Sequence, residues 1–480
     1  MKRMTRRGFL ERSAAAGCAL PLFAIAGTKS GPLLGANEQV RVGVAGINSQ
    51  GNGHIDEYLG MKDVQITHLI DPDRRLFASR QKKITDKGGA APECVQDVRR
   101  ALDDKNLDVI SIATPNHWHS LMTIWACQAG KDVYVEKPLS HEVAEGRRCV
   151  EAARKYGRMV QHGTQQRSSS SRASEIAAVQ SGQYGRLRVS KGYCCKPRWS
   201  IERKQAAVPP EDLAFDLWLG PAPEQPYHAN LVHYNWHWFW DFGNGDIGNQ
   251  GVHEIDVARW AIRGATLPTK VWSLGGRFGY EDQGQTPNTQ MAVFEFGDVL
   301  LVFEVRGLVG KHKDFPQRVE NEYYTDAGMI REGQFYPRGG GKPEKLAAFE
   351  VDVTPGGSWG SFIQAVRSRK VEELNADVEH GHYSSALCHL ANISYRLGES
   401  APFDDRTQKL GDNGEVVATF RNLRENLKAV DAQLERATYR VGRTLEFDPR
   451  TERFTGEGAE QANPLLGRSY RRPFVVPDEV

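Results

Sequence analysis

The sequence predicts an α/β protein whose N-terminal part is a doubly wound parallel sheet, on three observations. Short β-branched runs alternate with helical stretches from residue 40 to about residue 161. The first run ends in a glycine-rich turn, Gly46-Ile47-Asn48-Ser49-Gln50-Gly51-Asn52-Gly53. Two later runs end in chemically loaded segments, and in such sheets ligands lie off the carboxyl ends of the strands.

Val40–Ala45 reads as the first strand and His54–Leu59 as a helix. Strand, glycine-rich turn and helix are the setting of a dinucleotide fingerprint. Glycines let the backbone close on a pyrophosphate, which sits on the unpaired N–H groups of the helix. The spacing here is Gly46-x-Asn48-x-x-Gly51, with asparagine at the second glycine position. Asparagine is the non-glycine residue that best tolerates a left-handed backbone, so the turn is expected to survive. A second strand, Gln65–Ile70, ends at Asp71, 25 positions after Gly46. A carboxylate there accepts from both ribose hydroxyls of NAD and repels the extra phosphate of NADP. Arg74 and Arg75 leave NADP open, because either can pair with a 2′-phosphate. Further along come Leu107–Ala113 as strand, Ser120–Ala129 as helix, Asp132–Glu136 as strand, Glu142–Tyr156 as helix and Met159–Gln161 as strand. The loaded ends are Thr114-Pro115-Asn116-His117-Trp118-His119 and Glu136-Lys137-Pro138-Leu139.

The 480 residues, 25% charged and 40% hydrophobic, exclude disordered and coiled-coil readings. A net charge of +2 without a basic cluster gives no nucleic-acid footprint, and no apolar stretch reaches the ~20 residues needed to span a bilayer. The first residues form a basic head with Arg6-Arg7, then a short apolar stretch from Ala14 to Ala26, similar to a twin-arginine export signal. Residues 1–36 are expected to be removed, with cleavage after Ala26 or Ala36, leaving a periplasmic or otherwise exported chain with no membrane attachment. Their six positive charges and one negative leave with them, which turns +2 into −3. The other cysteines, Cys94, Cys127, Cys149, Cys194, Cys195 and Cys388, show no CxxC spacing, so neither a metal site nor a disulfide framework is expected.

In the second half, Asn249, His253, Asp256 and Trp260 recur at spacings that share one helical face. Val252, Ile255, Ala258 and Ile262 share another, expected to pack on the core. Amide, imidazole, carboxylate and indole on one face point toward a polar cavity. Upstream runs His233-Tyr234-Asn235-Trp236-His237-Trp238-Phe239-Trp240-Asp241. Its tryptophans either form core or wall a site where sugar C–H faces stack on the rings.

Taken together, the Gly46–Gly53 turn, Asp71, Thr114–His119, Glu136-Lys137-Pro138 and Gly248–Trp260 resemble the Gfo/Idh/MocA family of NAD(P)-dependent sugar and polyol oxidoreductases. The resemblance covers roughly residues 39–430. It implies a Rossmann domain over 37–160 and an α/β domain over 161–430 with a large, mostly antiparallel sheet that often serves as a dimer face. A C-terminal hairpin around Arg440–Phe454 and an extended tail are expected over 431–480. A homo-oligomer, dimer or tetramer, is therefore expected. The resemblance also implies that Lys137 and His253 act in catalysis, beside an aspartate at the position of Asn249. Imidazole suits the carbinol proton and an ammonium the developing alkoxide. Asn249 hydrogen-bonds but cannot balance charge; Asp246 and Asp256 are the carboxylates at hand to replace it.

The cofactor residues are then Gly46, Asn48, Gly51, Asp71, Thr114, Pro115, Asn116, His119, Glu136 and Lys137. Gln165, Arg167, Tyr193, Trp236, His237, Trp238 and Asp256 are expected to line a carbohydrate slot. The leading expectation is an exported oxidoreductase passing hydride between a sugar or polyol carbinol and NAD. Within the same family stand NAD-dependent glycoside hydrolases, in which transient C3 oxidation allows elimination at C1 and the hydride returns. A reading of another class is a non-catalytic sugar-binding protein, in which sugar never changes the redox state of bound nicotinamide.

Overall fold

A computed structural model describes residues 39–403 and 410–480. The export signal expected over 1–36 lies outside the described residues.

Six parallel strands form the first sheet: β1 (Val40–Ala45), β2 (Val64–Ile70), β3 (Glu93–Val95), β4 (Val109–Ile112), β5 (Asp132–Val135) and β6 (Val160–His162). Their order is β3-β2-β1-β4-β5-β6, so the chain reverses direction across the sheet between β1 and β4. Five helices follow these strands: α1 (Ser49–Leu59), α2 (Phe77–Asp86), α3 (Val98–Leu102), α4 (Asn116–Gln128) and α5 (Val143–Lys155). Alternation along β1 puts Val40, Val42 and Val44 into one buried layer with Ile55 and Tyr58 of α1, and Ala45 into the other with α4 and α5. The short strand β3 and helices α2 and α3 carry too weak an apolar period to be expected from the sequence.

A second, mostly antiparallel sheet follows helix α6 (Ser170–Ser181). Its central strands are β7 (Leu187–Cys195), β8 (Lys270–Gly276), β9 (Thr289–Phe296), β10 (Val299–Arg306) and β11 (Arg318–Thr325). Among the described residues, β7–β10 is its one parallel pair. The long excursion between β7 and β8 holds α7 (Phe215–Leu219), α8 (Gly245–Asn249) and α9 (Gly251–Ala261). Val252, Ile255, Ala258 and Ile262 do pack on the sheet, together with α11 (Val378–Arg396), which follows α10 (Gly357–Ser368). The opposite face of β8–β10 is covered by α12 (Gly414–Ala429) through Phe420, Leu423 and Leu427.

Two later pieces return to the first sheet. Helix α10 buries Phe362, Ala365 and Val366 in the β1 layer of the first sheet. The hairpin expected around Arg440–Phe454 is formed by Leu445–Asp448 and Arg453–Thr455, while Thr438–Val441 and Leu445–Asp448 each pair with β8. Phe474 and Val476 then return to the α4 layer of the first sheet. Cys194 and Cys195 lie on β7, both buried and unpaired.

Candidate active site

The turn after β1 is built on Gly46, whose φ of +78° is a region other residues rarely adopt. A Cβ at Gly51 would lie 1.7 Å from the Gly46 carbonyl oxygen, so only glycine lets the helix approach the turn this closely. Asn48 behaves differently from expectation. Its φ is −76°, so it needs no left-handed tolerance, and α1 begins directly after it at Ser49, five residues before the expected start. No side chain caps that helix, which leaves its first N–H groups for an anion. Asp71 is buried, with Oδ2 accepting from Ile47 N at 2.9 Å and Oδ1 from Asp73 N at 2.9 Å. Burial, offset by those bonds, pushes its carboxyl up to about 6.

The second loaded segment is helical almost from its start, because α4 begins at Asn116 behind Pro115. Asn116 donates to Asn244 Oδ1 at 3.1 Å. The two ring nitrogens of His119 lie 2.7 Å from the Thr114 carbonyl and 2.6 Å from that of Pro138. His119 thus ties the end of β4 to the end of β5.

At the end of β5, Glu136 accepts from Gln50 at 3.1 Å and lies 3.3 Å from His54 Nε2. Burial would raise its pKa, but the His54 hydrogen bond and the charges of His54 and Lys137 outweigh it and hold the carboxylate at about 2. Sequence reasoning missed His54; the signal available was a histidine on the first helix three positions after Gly51. Lys137 donates from Nζ to the Asn249 carbonyl at 2.8 Å. Burial lowers its pKa, opposed by Glu136, Asp246 and Glu254.

A cavity of about 270 Å³ joins these parts. It runs from Gly46, Asn48 and Asp71 past Thr114, Pro115, Asn116 and His119 to Glu136, Lys137 and Asn249, under Trp218, His233, Tyr234, Trp236 and His237. His237 stacks on Trp236 with ring centroids 3.6 Å apart. Its Nδ1 lies 2.5 Å from the Tyr234 carbonyl, which leaves Nε2 as the acceptor. His253 does not line the cavity. It is half-buried on α9, and burial together with the Lys137 charge lowers it to about 3.

Five residues expected in a sugar slot, Arg167 among them, are elsewhere. Asp256 is fully buried and holds Arg167 through contacts of 2.8–3.0 Å, with Ser384 donating to it at 2.6 Å. The reason is helix geometry: Gln250 interrupts the run between α8 and α9, so Asn249 and Asp256 do not share one continuous helix face. Tyr193 lies on β7, donating to Glu320 at 3.0 Å and Glu322 at 3.3 Å. Trp238 turns away to Arg198, 5.4 Å from its ring. Gln165 sits in a short turn after β6 and does not line the cavity. Neither candidate replacement for the carboxylate missing at Asn249 is unengaged: Asp256 is held as above, and Asp246 pairs with Arg198 at 2.9 Å.

Buried histidines give a pH signature. Burial holds His141, His237, His253 and His389 at about 3 and His162 at about 4, with His117 lowered too. In the unfolded chain each protonates near 6.5, so below that pH the unfolded state binds more protons and stability falls as pH falls. Asp71, Glu142 and Glu254, raised by burial to about 6, 7 and 8, act oppositely but are outnumbered. The unfolding midpoint is therefore expected to drop between pH 6.5 and about 5, measurable by thermal denaturation; an unchanged midpoint would contradict these burial assignments.

A family model described as an oxidoreductase family with an NAD-binding Rossmann fold matches residues 40–164, and its companion C-terminal alpha/beta domain matches 179–273. The chain belongs to the Gfo/Idh/MocA family. Among curated relatives, a glycosyl hydrolase family 109 protein of Shewanella pealeana is 29% identical over 120 residues, 24% of this chain and 26% of that protein. A glycosyl hydrolase family 109 protein 2 of Shewanella sp. (strain ANA-3) is 28% identical over 163 residues, 30% of this chain and 36% of that one. The chain thus spans about a quarter to a third of the length of these relatives. The WlbA dehydrogenase of Bordetella pertussis, solved with NADH and UDP-GlcNAcA, shares the fold at TM-score 0.52 and 18% identity, over 73% of this chain and 94% of that one. Levoglucosan dehydrogenase with NADH and levoglucosan does so at TM-score 0.53 and 17% identity, over 73% and 95%.

Proposed function

We propose that this Gfo/Idh/MocA protein is an exported NAD-dependent oxidoreductase acting on a carbinol of a sugar or polyol. One observation carries the reading: a single cavity joins the glycine turn and Asp71 to Lys137 and the neutral imidazole of His237. The turn fits a dinucleotide, because the Gly46–Gly51 approach leaves no room for a side chain and the uncapped helix faces the cavity. Gly46, Asn48 and Gly51 would hold the pyrophosphate, Asp71 a ribose, and Thr114, Pro115 and Glu136 the nicotinamide end. When bound, NAD supplies a two-electron hydride acceptor.

The chain's own groups handle the proton and the charge. His237 Nε2, on the cavity wall and neutral at physiological pH, is the group placed to accept a carbinol proton. The Lys137 ammonium, held by the Asn249 carbonyl, offers its remaining N–H donors to an alkoxide oxygen. Trp236 and Trp218 wall the cavity with ring faces suited to sugar C–H groups.

A second reading is favoured by the curated relatives named as glycosyl hydrolases: a redox-neutral cycle in which the sugar is oxidised at C3, loses its C2 proton and C1 substituent, adds water across C1 and C2, and is reduced again by the returning hydride. A panel of free sugars and aryl glycosides in deuterated water separates the two. Net reduced nicotinamide supports the dehydrogenase, glycoside cleavage with deuterium at C2 and no net reduction supports the hydrolase, and neither signal with tight sugar binding would overturn both. Export through the twin-arginine route belongs to the same proposal and rests on Arg6-Arg7 and the apolar stretch behind them. Fractionation of the producing cells tests it, and light scattering tests the proposed homo-oligomer.

A further inference from the structure

We propose that Asp212–Ala214 and His233, from the excursion between β7 and β8, complete the cofactor site at its adenosine end and that Asp212 there selects NAD over NADP. The inference rests on the nucleotide reading above. In a sheet of this order the ribose carboxylate stands at the end of β2, so the residues just beyond β2 and β3 flank the adenosine. Those residues are gripped from across the cleft. Arg74 N donates to the Asp212 carbonyl at 3.1 Å, and Ala214 N donates to the Pro72 carbonyl at 2.9 Å. Asp73 and Leu213 form an antiparallel bridge between these two bonds. Gln96, beyond β3, donates to the carbonyls of Pro72 at 2.7 Å and Asp212 at 3.3 Å. His233 Nε2 lies 2.9 Å from Asp73 Oδ2.

The cavity passes beneath this strap, since Asp71, Pro72, Gln96 and His233 all line it. The strap is also fastened from behind. Leu213 is buried in a small core with Trp218, Leu231 and Trp236. Arg471 donates to the Gly220 carbonyl at 3.0 Å and the Asp216 carbonyl at 2.6 Å. A nucleotide seated below has to wait for several bonds to open together, and such coupled opening acts mainly on the dissociation rate.

The charges settle a question that the sequence left open. Arg74 hydrogen-bonds Asp212, and Arg75 donates from Nε to Asp73 Oδ1 at 2.7 Å. Both cations that a 2′-phosphate would seek are therefore engaged by carboxylates, one of them supplied by the strap. A phosphate placed there would meet Asp71 on the cavity wall and find Arg74 and Arg75 already paired to Asp212 and Asp73, whereas a 2′-hydroxyl would not be repelled.

Two substitutions in the full-length chain separate the consequences. Ala214 has a φ of −71°, which suits proline, so Ala214→Pro removes the N–H bonded to Pro72 without straining its own backbone. Bound nicotinamide is quantified after denaturation, and its exchange is followed against isotopically labelled NAD. The parent is expected to keep its nucleotide, and Ala214→Pro to exchange it roughly tenfold faster. Asp212→Ala, a surface change that spares the fold, is expected to raise NADP affinity relative to NAD by roughly tenfold, read by calorimetry. Exchange as fast in the parent as in Ala214→Pro, or an unchanged NAD-to-NADP ratio in Asp212→Ala, would overturn the proposal. A folded parent that binds neither nucleotide would instead overturn the nucleotide reading on which it rests.

Discussion

Replacing Lys137 by methionine should lower kcat by about 10²–10³-fold, the loss typical of deleting one preorganised donor to a developing oxyanion. Methionine keeps the length and apolar stem of the side chain, so the half-buried wall of the cavity should stay filled. What disappears is the ammonium between the end of β5 and α8, and its hydrogen bond from Nζ to the Asn249 carbonyl. Nucleotide binding should survive, because the glycine turn and Asp71 hold the far end of the cavity. The same substitution has a second reporter. The Lys137 ammonium lowers the pKa of His253 and of Glu136, so both should titrate higher in the variant and the acid limb of its residual activity should move up in pH. A kcat within a few-fold of the parent would remove Lys137 from the chemistry, whatever the family suggests.

The largest effect on stability is expected at Asp256. Its carboxylate is fully buried, held down to about 2 because Arg167 and Arg259 outweigh the cost of burial, and hydrogen-bonded by Ser384. Asp256→Ala leaves both guanidinium groups buried with their charge uncompensated, a change that costs about 3–5 kcal/mol. Urea titration should therefore show a lower midpoint with a similar slope. Since the carboxylate lies outside the cavity, the fraction that remains folded should bind nucleotide with the parent's affinity. A loss of affinity without a loss of stability would return Asp256 to the site.

How far the sequence could be read depended on whether the signal was local. The βα alternation, the glycine turn and the Glu136-Lys137-Pro138 segment are contiguous, and their placement at strand ends follows from the parallel sheet itself. Helix boundaries were harder: Gly51 and Gly53 read as turn, yet both lie inside α1, where Gly51 packs closely on Gly46. The sugar-slot residues failed for a different reason. Arg167 and Asp256 are charged and lie near site residues in the chain, but they pair with each other, and pairing across 89 positions leaves no trace in spacing. The tryptophan run shows the same limit in small compass. Trp236 faces the cavity while Trp238 turns to Arg198, and only the four-residue turn that carries them decides which ring goes where.

The return of Phe474 and Val476 to the first layer has a consequence for how the chain is made. Trp118, whose ring meets that of Phe474 at 5.4 Å, also lines the cavity. On the ribosome the nucleotide-binding half emerges first, yet one of its layers stays open until residues 474–476 are released, and the other until α10 has been synthesised. Folding is thus deferred to the end of translation, and the first half to appear is the last to close. Any cellular check that passes only folded chains would reject a polypeptide stopped short of residue 474, even though every residue of its proposed catalytic centre was already present.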